Sequence, residues 1–137
     1  MVRNGPTKKR DPRFAQGRLT IARGFFKDAK NSIALAESGD IGNPAMSTMI
    51  TCAIAYTDVI TARELNQTNK DDHQAVVKLL RKALGNRLPD AQAKILASLL
   101  EQKDEVQYGS RSKTREEAER AFERLEKYVA WVEDFIA

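Results

Sequence analysis

A single cysteine, Cys52, and a single histidine, His73, in 137 residues set the first limits on chemistry. One thiol rules out an internal disulfide, and one thiol with one imidazole rules out the Cys and His quartets that hold structural zinc. The expected compartment is reducing and cytoplasmic. A di-iron bundle needs Glu-x-x-His pairs on facing helices, and the residue three before His73 is Lys70. No metal site is expected. The glycines match neither a phosphate-cradling loop nor a dinucleotide fingerprint, since Gly39-Asp-Ile-Gly42 lacks both the lysine and the preceding strand. No cofactor is expected. No apolar run approaches the ~20 residues of a membrane span, and Asp11 to Gln16 does not supply the apolar stretch of a secretory signal. No membrane association is expected, and the protein stays where it is made. Strand alternation is missing throughout.

What remains is a chain with 42% hydrophobic and 31% charged residues, the balance of a soluble globular domain. Its length suits one core. The formal net charge is +4, but six basic residues and one acid fall within Met1 to Thr20, so the rest of the chain is close to neutral. The basic character belongs to the N-terminal end. Residues 1–10 read as a basic flexible tail, either a solvated leader or an arm that touches phosphates, and 11–137 as the folded domain.

Punctuation divides that domain into helices. Asp11 and Pro12 form a start signal, and Phe14, Ile21, Phe25, Ala29, Ile33 and Ala36 recur at helical spacing up to about Gly39. Gly24 inside this helix implies a close approach beside Phe25 and Phe26. Asn43 and Pro44 repeat the start signal for a helix through Leu65, apolar on nearly every face and therefore the most buried element. Its Thr51, Thr57 and Thr61 hydroxyls can bond back along the helix. Asn66 to Lys70 is a polar connection, and Asp71 or Asp72 opens a short helix to Gly85. Pro89 begins a fourth helix whose stripe Ile95, Leu96, Leu99, Leu100 and Val106 stops at Tyr108 and Gly109. Thr114 and Glu117 form a capping box for a fifth helix reaching almost to Ala137. Short connections make neighbours antiparallel. The expected fold is all-α, an up-and-down four-helix bundle with one additional short helix.

At the junction of the last two helices, Leu99-Leu-Glu-Gln-Lys-Asp-Glu-Val-Gln-Tyr-Gly109 followed by Thr114-Arg-Glu-Glu-Ala118 resembles the HEPN superfamily of higher-eukaryote and prokaryote nucleotide-binding domains, in its HepT-like prokaryotic branch. Helix two, from Ala53 through Tyr56, Asp58 and Thr61 to Arg63, is similar to prokaryotic members. The resemblance implies a homodimer that is either a metal-independent endoribonuclease, often a toxin held by an antitoxin-like protein partner, or an inactive binding module for RNA or a nucleotide. The family's catalytic pattern is an Arg, a polar neighbour and a His five residues after the Arg. Lys103, Asp104 and Tyr108 occupy those places here. Lys103 keeps a charge but loses the planar fork, and a phenol with a pKa of ~10 is a poor base at neutral pH. The motif is degenerate. Residues five apart on one helix point ~140° from each other, so Lys103 and Tyr108 converge only through a helix break, which Gly109 can supply, or across a dimer seam.

Other candidates carry two readings each. Arg111, Lys113 and Arg115 make a basic loop, either a solvated turn or a phosphate-binding rim beside Lys103. Asp58, an acid on an apolar helix, needs a partner, for which Lys103 is the first choice, unless it emerges at the surface. His73, in the first turn of its helix, is a neutral packing or capping residue or an alternative base. Cys52 lies in the buried helix as an inert thiol. Trp131, Val132, Phe135 and Ile136 are core residues or a face that pairs with another chain. The leading function is a non-catalytic or degenerate HEPN-like binding module acting through Lys103, Tyr108, Arg111, Lys113 and Asp58. The alternatives are a metal-independent endoribonuclease of toxin–antitoxin type, with Lys103, Asp104 and Tyr108 catalytic, and a homodimeric interaction module.

Overall fold

The first helix begins where the side chain of Asp11 takes the amides of Arg13 (2.9 Å) and Phe14 (3.1 Å), with Pro12 in the first turn. The computed structural model describes residues 7–70 and 72–137. Asp71, named above as a helix start, and residues 1–6 of the basic tail, which include Arg3, lie outside them. In chain order the elements are β1 (Thr7–Lys9), α1 (Pro12–Leu35), α2 (Asn43–Leu65), β2 (Gln67–Asn69), a 3-10 turn (His73–Ala75), α3 (Val76–Leu84), a second 3-10 turn (Gly85–Arg87), α4 (Asp90–Glu101), α5 (Lys103–Tyr108) and α6 (Arg115–Ile136). The protein is mostly helical, with one small antiparallel sheet.

The α1 stripe is not the one its large apolar residues suggest. Its buried positions are Ala15, Ala22 and Ala29, seven residues apart, while Ile21 is about half exposed. Small side chains in that row let α1 lie close along α2, close enough for the Cys52 Sγ to reach the carbonyl of Ala22 at 3.6 Å. Phe25 and Phe26 flank the row, and Phe26 stacks on Phe122 of α6. The helix ends at Leu35 rather than near Gly39, because the side chain of Asp40 takes the amide of Glu37 and Gly39 turns the chain at φ +94°.

Gly24 makes no close approach to anything. A Cβ placed there, or at Gly17, meets no atom within 4 Å. Gly24→Ala is therefore expected to raise the unfolding free energy by about 1 kcal/mol, read by urea denaturation. A loss of stability would contradict the open space.

α2 is the central helix and is buried along most of its length. By length and mean hydropathy it would suffice to cross a membrane, contrary to the sequence expectation, yet 72% of that stretch is buried inside the protein. The threonine back-bonds are present: Thr51 donates to Ser47, Thr57 to Ala53 and Thr61 to Asp58. α1 runs antiparallel to α2, as the Arg18–Asp58 and Ala22–Cys52 contacts require. α6 runs parallel to it, with Gly42 beside Thr114 at one end and Arg63 donating to the carbonyl of Ile136 at the other. Trp131, Phe135 and Ile136 pack against the core with Val132 buried, so the C-terminal apolar face belongs to it.

Two expectations are corrected by short elements. Asn66 closes α2 in the left-handed conformation (φ 55°), and the polar segment after it is a strand, pairing Thr7 with Asn69, Lys8 with Thr68 and Lys9 with Gln67. Arg10 fixes the join by donating to Thr68 Oγ1 (3.0 Å) and lying over the Phe14 ring (4.0 Å). The described part of the basic tail is thus paired backbone. The fourth helix is also two helices, interrupted at Gln102, where the amide bonds to Leu99 instead of continuing the regular ladder.

Candidate functional site

Lys103 opens α5, the six-residue helix set off by the Gln102 interruption, and Tyr108 ends it. The lysine stem spans the angular gap between the two positions: Nζ lies 5.6 Å from the centroid of the Tyr108 ring. No second subunit is needed for them to meet, and the helix break between α4 and α5 precedes both rather than falling at Gly109. Gly109 instead closes α5, its amide donating to the carbonyls of Asp104 and Glu105. Tyr108 is 77% exposed.

Asp104 turns toward a residue from a different part of the chain. Its Oδ1 lies 3.9 Å from His73 Nε2, bringing the 3-10 turn before α3 against the first turn of α5. That turn is capped by Asp72, whose carboxylate accepts from the Gln74 amide at 3.1 Å. His73 lines two cavities. One, of about 330 Å³, is shared with Lys103, Asn69, Asp72, Ile54 and Val76. The other, of about 470 Å³, lies between α3 and α4 over Val77, Ala97 and Leu100, with Lys78, Glu101 and Asp104 at its rim.

The basic loop is closed on itself. Arg111 pairs with Glu105 (2.9 Å) and Glu117 (3.1 Å), and Lys113 reaches Glu105 (3.1 Å) and Glu117 (3.7 Å) with its side chain only 4% exposed. The Arg111 hydrogen bonds, with a further one from the Thr114 backbone, hold the Glu117 carboxyl down at about 2, and those of Arg111 and Lys113 hold Glu105 below the usual range. Arg115 pairs with Glu119. A phosphate would have to displace carboxylates from Arg111 and Lys113, so these two do not form the open rim the sequence offered.

What holds this loop is Asn43, read in the sequence as a helix cap. Its Nδ2 donates to the carbonyls of Val106 (3.1 Å) and Arg111 (3.3 Å), and its Oδ1 accepts the Lys113 amide at 2.7 Å. The cap position of α2 is Gly42 instead, with no side-chain cap, and Asn43 is the first residue of the helix.

Asp58 does not pair with Lys103. Its partner is Arg18 of α1, at 3.4 Å, and it is 8% exposed rather than at the surface. Burial pushes its carboxyl up to about 6 against the pull of the Arg18 guanidinium, with Arg10 adding a smaller pull. Next to it, Thr57 and Tyr128 share a hydroxyl–hydroxyl bond in the core. Cys52 is buried, and desolvation pushes its thiol up to about 12, leaving it un-ionised at neutral pH. Among the described residues no group of three or more His, Cys, Asp or Glu side chains is placed to hold a metal ion.

Fold and site together define a class: a small helical protein with a two-stranded clasp and a mixed-charge cleft where α3, α4 and α5 meet. No protein-family model matches the chain, and no curated protein matches it.

Proposed function

We propose that the protein is a HEPN-like binding module, non-catalytic or degenerate in the family's chemistry, that takes RNA or a nucleotide at the α5 pole. In this reading the long helices α1, α2, α4–α5 and α6 make the family's up-and-down four-helix bundle with α3 as the addition, and the protein is a cytoplasmic homodimer. The observation that carries the proposal is Lys103, which lines an open cavity beside an exposed tyrosine and pairs with no carboxylate among the described residues. A free cation next to an aromatic face suits a phosphate and a base, and Lys103 supplies the charge without the bidentate fork that would orient a phosphate for attack.

The test is fluorescence anisotropy with a labelled single-stranded RNA across a salt series. Affinity is expected to fall steeply with salt, and Lys103→Ala to weaken binding and flatten the salt slope by about one ion. Arg111→Ala is expected to change it less, because that guanidinium already serves Glu105 and Glu117. Binding insensitive to salt, or absent, removes nucleic acid from the reading.

One observation favours the metal-independent endoribonuclease as a second reading: an imidazole beside a carboxylate, His73 with Asp104, next to Lys103. Cleavage of labelled RNA in the presence of a chelator, lost in His73→Ala, would establish it. In either reading an antitoxin-like protein partner or a second copy would cover the exposed Tyr108, and the mass in solution reports the second copy.

A further inference from the structure

The cavity between α3 and α4 is sided by charge. One wall comes from the 3-10 turn and α3 and carries His73, Gln74 and Lys78. The other comes from α4 and the first turn of α5 and carries Glu101 and Asp104. Between them lies an apolar floor, with Leu100 buried and Val77 and Ala97 half-buried. Each acid follows an apolar lining residue by four positions, Glu101 after Ala97 and Asp104 after Leu100, the spacing that keeps acids and floor on one side of a helix.

The two walls barely touch. Among the described residues, the one pair that comes within ion-pair reach across the cavity is His73 Nε2 with Asp104 Oδ1, at 3.9 Å. Lys78 and Glu101 line the same space with opposite charges, yet neither lies within that reach of the other or of any other charged group described.

That division of charge selects among ligands. A bare anion such as phosphate meets two acids, a bare cation meets the lysine, and an uncharged apolar molecule desolvates both walls with nothing to offer either. A zwitterion with an apolar body suits all three surfaces. Its ammonium faces Glu101 and Asp104, its carboxylate faces Lys78 and the Gln74 amide, and its side chain covers Val77, Ala97 and Leu100. The volume, about 470 Å³, lies within the ~300–1,000 Å³ of small-ligand sites, which likewise combine an apolar lining with a few polar groups.

We infer that the α3–α4 cavity is a binding site for a free α-amino acid with an apolar side chain. This goes beyond the RNA-binding reading and does not rest on it, since Lys103, the cation of that reading, does not line this cavity.

The experiment titrates the full chain, isotope-labelled, with L-phenylalanine, phenethylamine and phenylpropanoate, and follows amide chemical shifts. Circular dichroism melts accompany each variant. L-Phenylalanine is expected to shift the amides of Val77, Ala97 and Leu100 with a Kd of about a millimolar or tighter. Each analogue lacks one charged end and should bind about tenfold more weakly. Glu101→Gln is expected to cost L-phenylalanine and phenethylamine about tenfold and to leave phenylpropanoate within about twofold, and Lys78→Gln to give the mirror-image pattern. Ala97→Phe fills the floor and should abolish binding of all three. No shifts with L-phenylalanine at about ten times that concentration overturn the site. Phenethylamine binding as tightly as L-phenylalanine, with no effect of Lys78→Gln, overturns the zwitterion assignment. Binding that survives Ala97→Phe in a folded protein overturns the location, and if that variant does not fold, the Glu101 and Lys78 patterns decide.

Discussion

Asp58→Asn is expected to make the protein more stable at pH 7.5, by about 2 kcal/mol, and to give no such gain at pH 4. Burial in the wall between α1 and α2 raises the folded-state carboxyl from an ordinary 3.8 to about 6, with Arg18 and Arg10 recovering only part of the desolvation. A shift of about two units corresponds to about 3 kcal/mol of difference between the two charge states. The sign follows from the direction. A group protonated more readily in the folded state contributes stability that is complete below its unfolded pKa, near 4, and lost as pH rises through about 6. Above that, the folded state carries a buried carboxylate with a single 3.4 Å contact to Arg18. An amide of the same shape removes the penalty but forfeits the ion pair, which is why the expected gain is smaller than the full shift. Urea denaturation of wild type and variant at pH 4 and 7.5 reads the difference. An equal effect at both values, or a loss at pH 7.5, would show that the ionised pair stabilises the fold. Arg18→Met should act in the opposite sense, costing most above pH 6, where it strands the carboxylate.

The same comparison isolates Asp58 from the other acids. Glu133 is held below the ordinary range chiefly by hydrogen bonds from Arg23, with a further one from Tyr56, and Glu117 sits at about 2. Those groups add stability as pH rises through their own low range. The pH profile of the wild type therefore mixes opposing contributions, and only the difference between wild type and Asp58→Asn carries the descending limb between pH 4 and 6.

Helix starts were legible because they rest on local hydrogen bonds between near neighbours: Asp11 to residues two and three ahead, and the reciprocal Thr114–Glu117 box. The burial of α2 was legible because its apolar residues leave no polar face. What escaped depends on partners distant in sequence. Ile21 looks like core and Ala22 does not, but a close α1–α2 contact selects the small residue, and nothing within α1 announces its partner's proximity. β1 and β2 are three residues each, too short to show alternation, and pair across about 60 positions. The α4–α5 interruption carries neither Gly nor Pro.

At the site, the α5 motif placed Lys103, Asp104 and Tyr108 on one pole, but His73 comes from 30 residues earlier and no spacing rule joins it to them. The neutralised loop was partly readable. Lys113 and Glu117 are four apart, the spacing of an ion pair on a helical turn, and the resemblance drew attention to the cations at the expense of the glutamates.

Asn43→Ala is expected to lower the unfolding free energy by about 3 kcal/mol, a drop in Tm of about 10 °C, from a surface-proximal amide that contributes almost nothing to the core. The amide makes three hydrogen bonds to main chain: two donated to Val106 and Arg111, one accepted from Lys113. Alanine leaves all three backbone groups without this partner, the Val106 carbonyl and the Lys113 amide in part-buried contacts and the Arg111 carbonyl in an exposed one, at about 1 kcal/mol each. Asn43→Asp separates the components. It keeps the acceptor for the Lys113 amide but places oxygen against two carbonyl oxygens, so it should be no better than alanine despite its similar size. The neighbouring residue sharpens the argument. Gly42 donates to the carbonyl of Lys113 at 2.7 Å, and a Cβ there would come 2.6 Å from the carbonyl oxygen of Thr114 and 3.0 Å from the Ala118 Cβ. Gly42→Ala must therefore push the loop and the start of α6 away from α2, at a cost of about 1–3 kcal/mol. The two variants act on the same contact, so the double variant should lose clearly less than the sum of the singles. Additive losses would mean that Gly42 and Asn43 hold separate structures, and that the α5 pole is positioned without the start of α2.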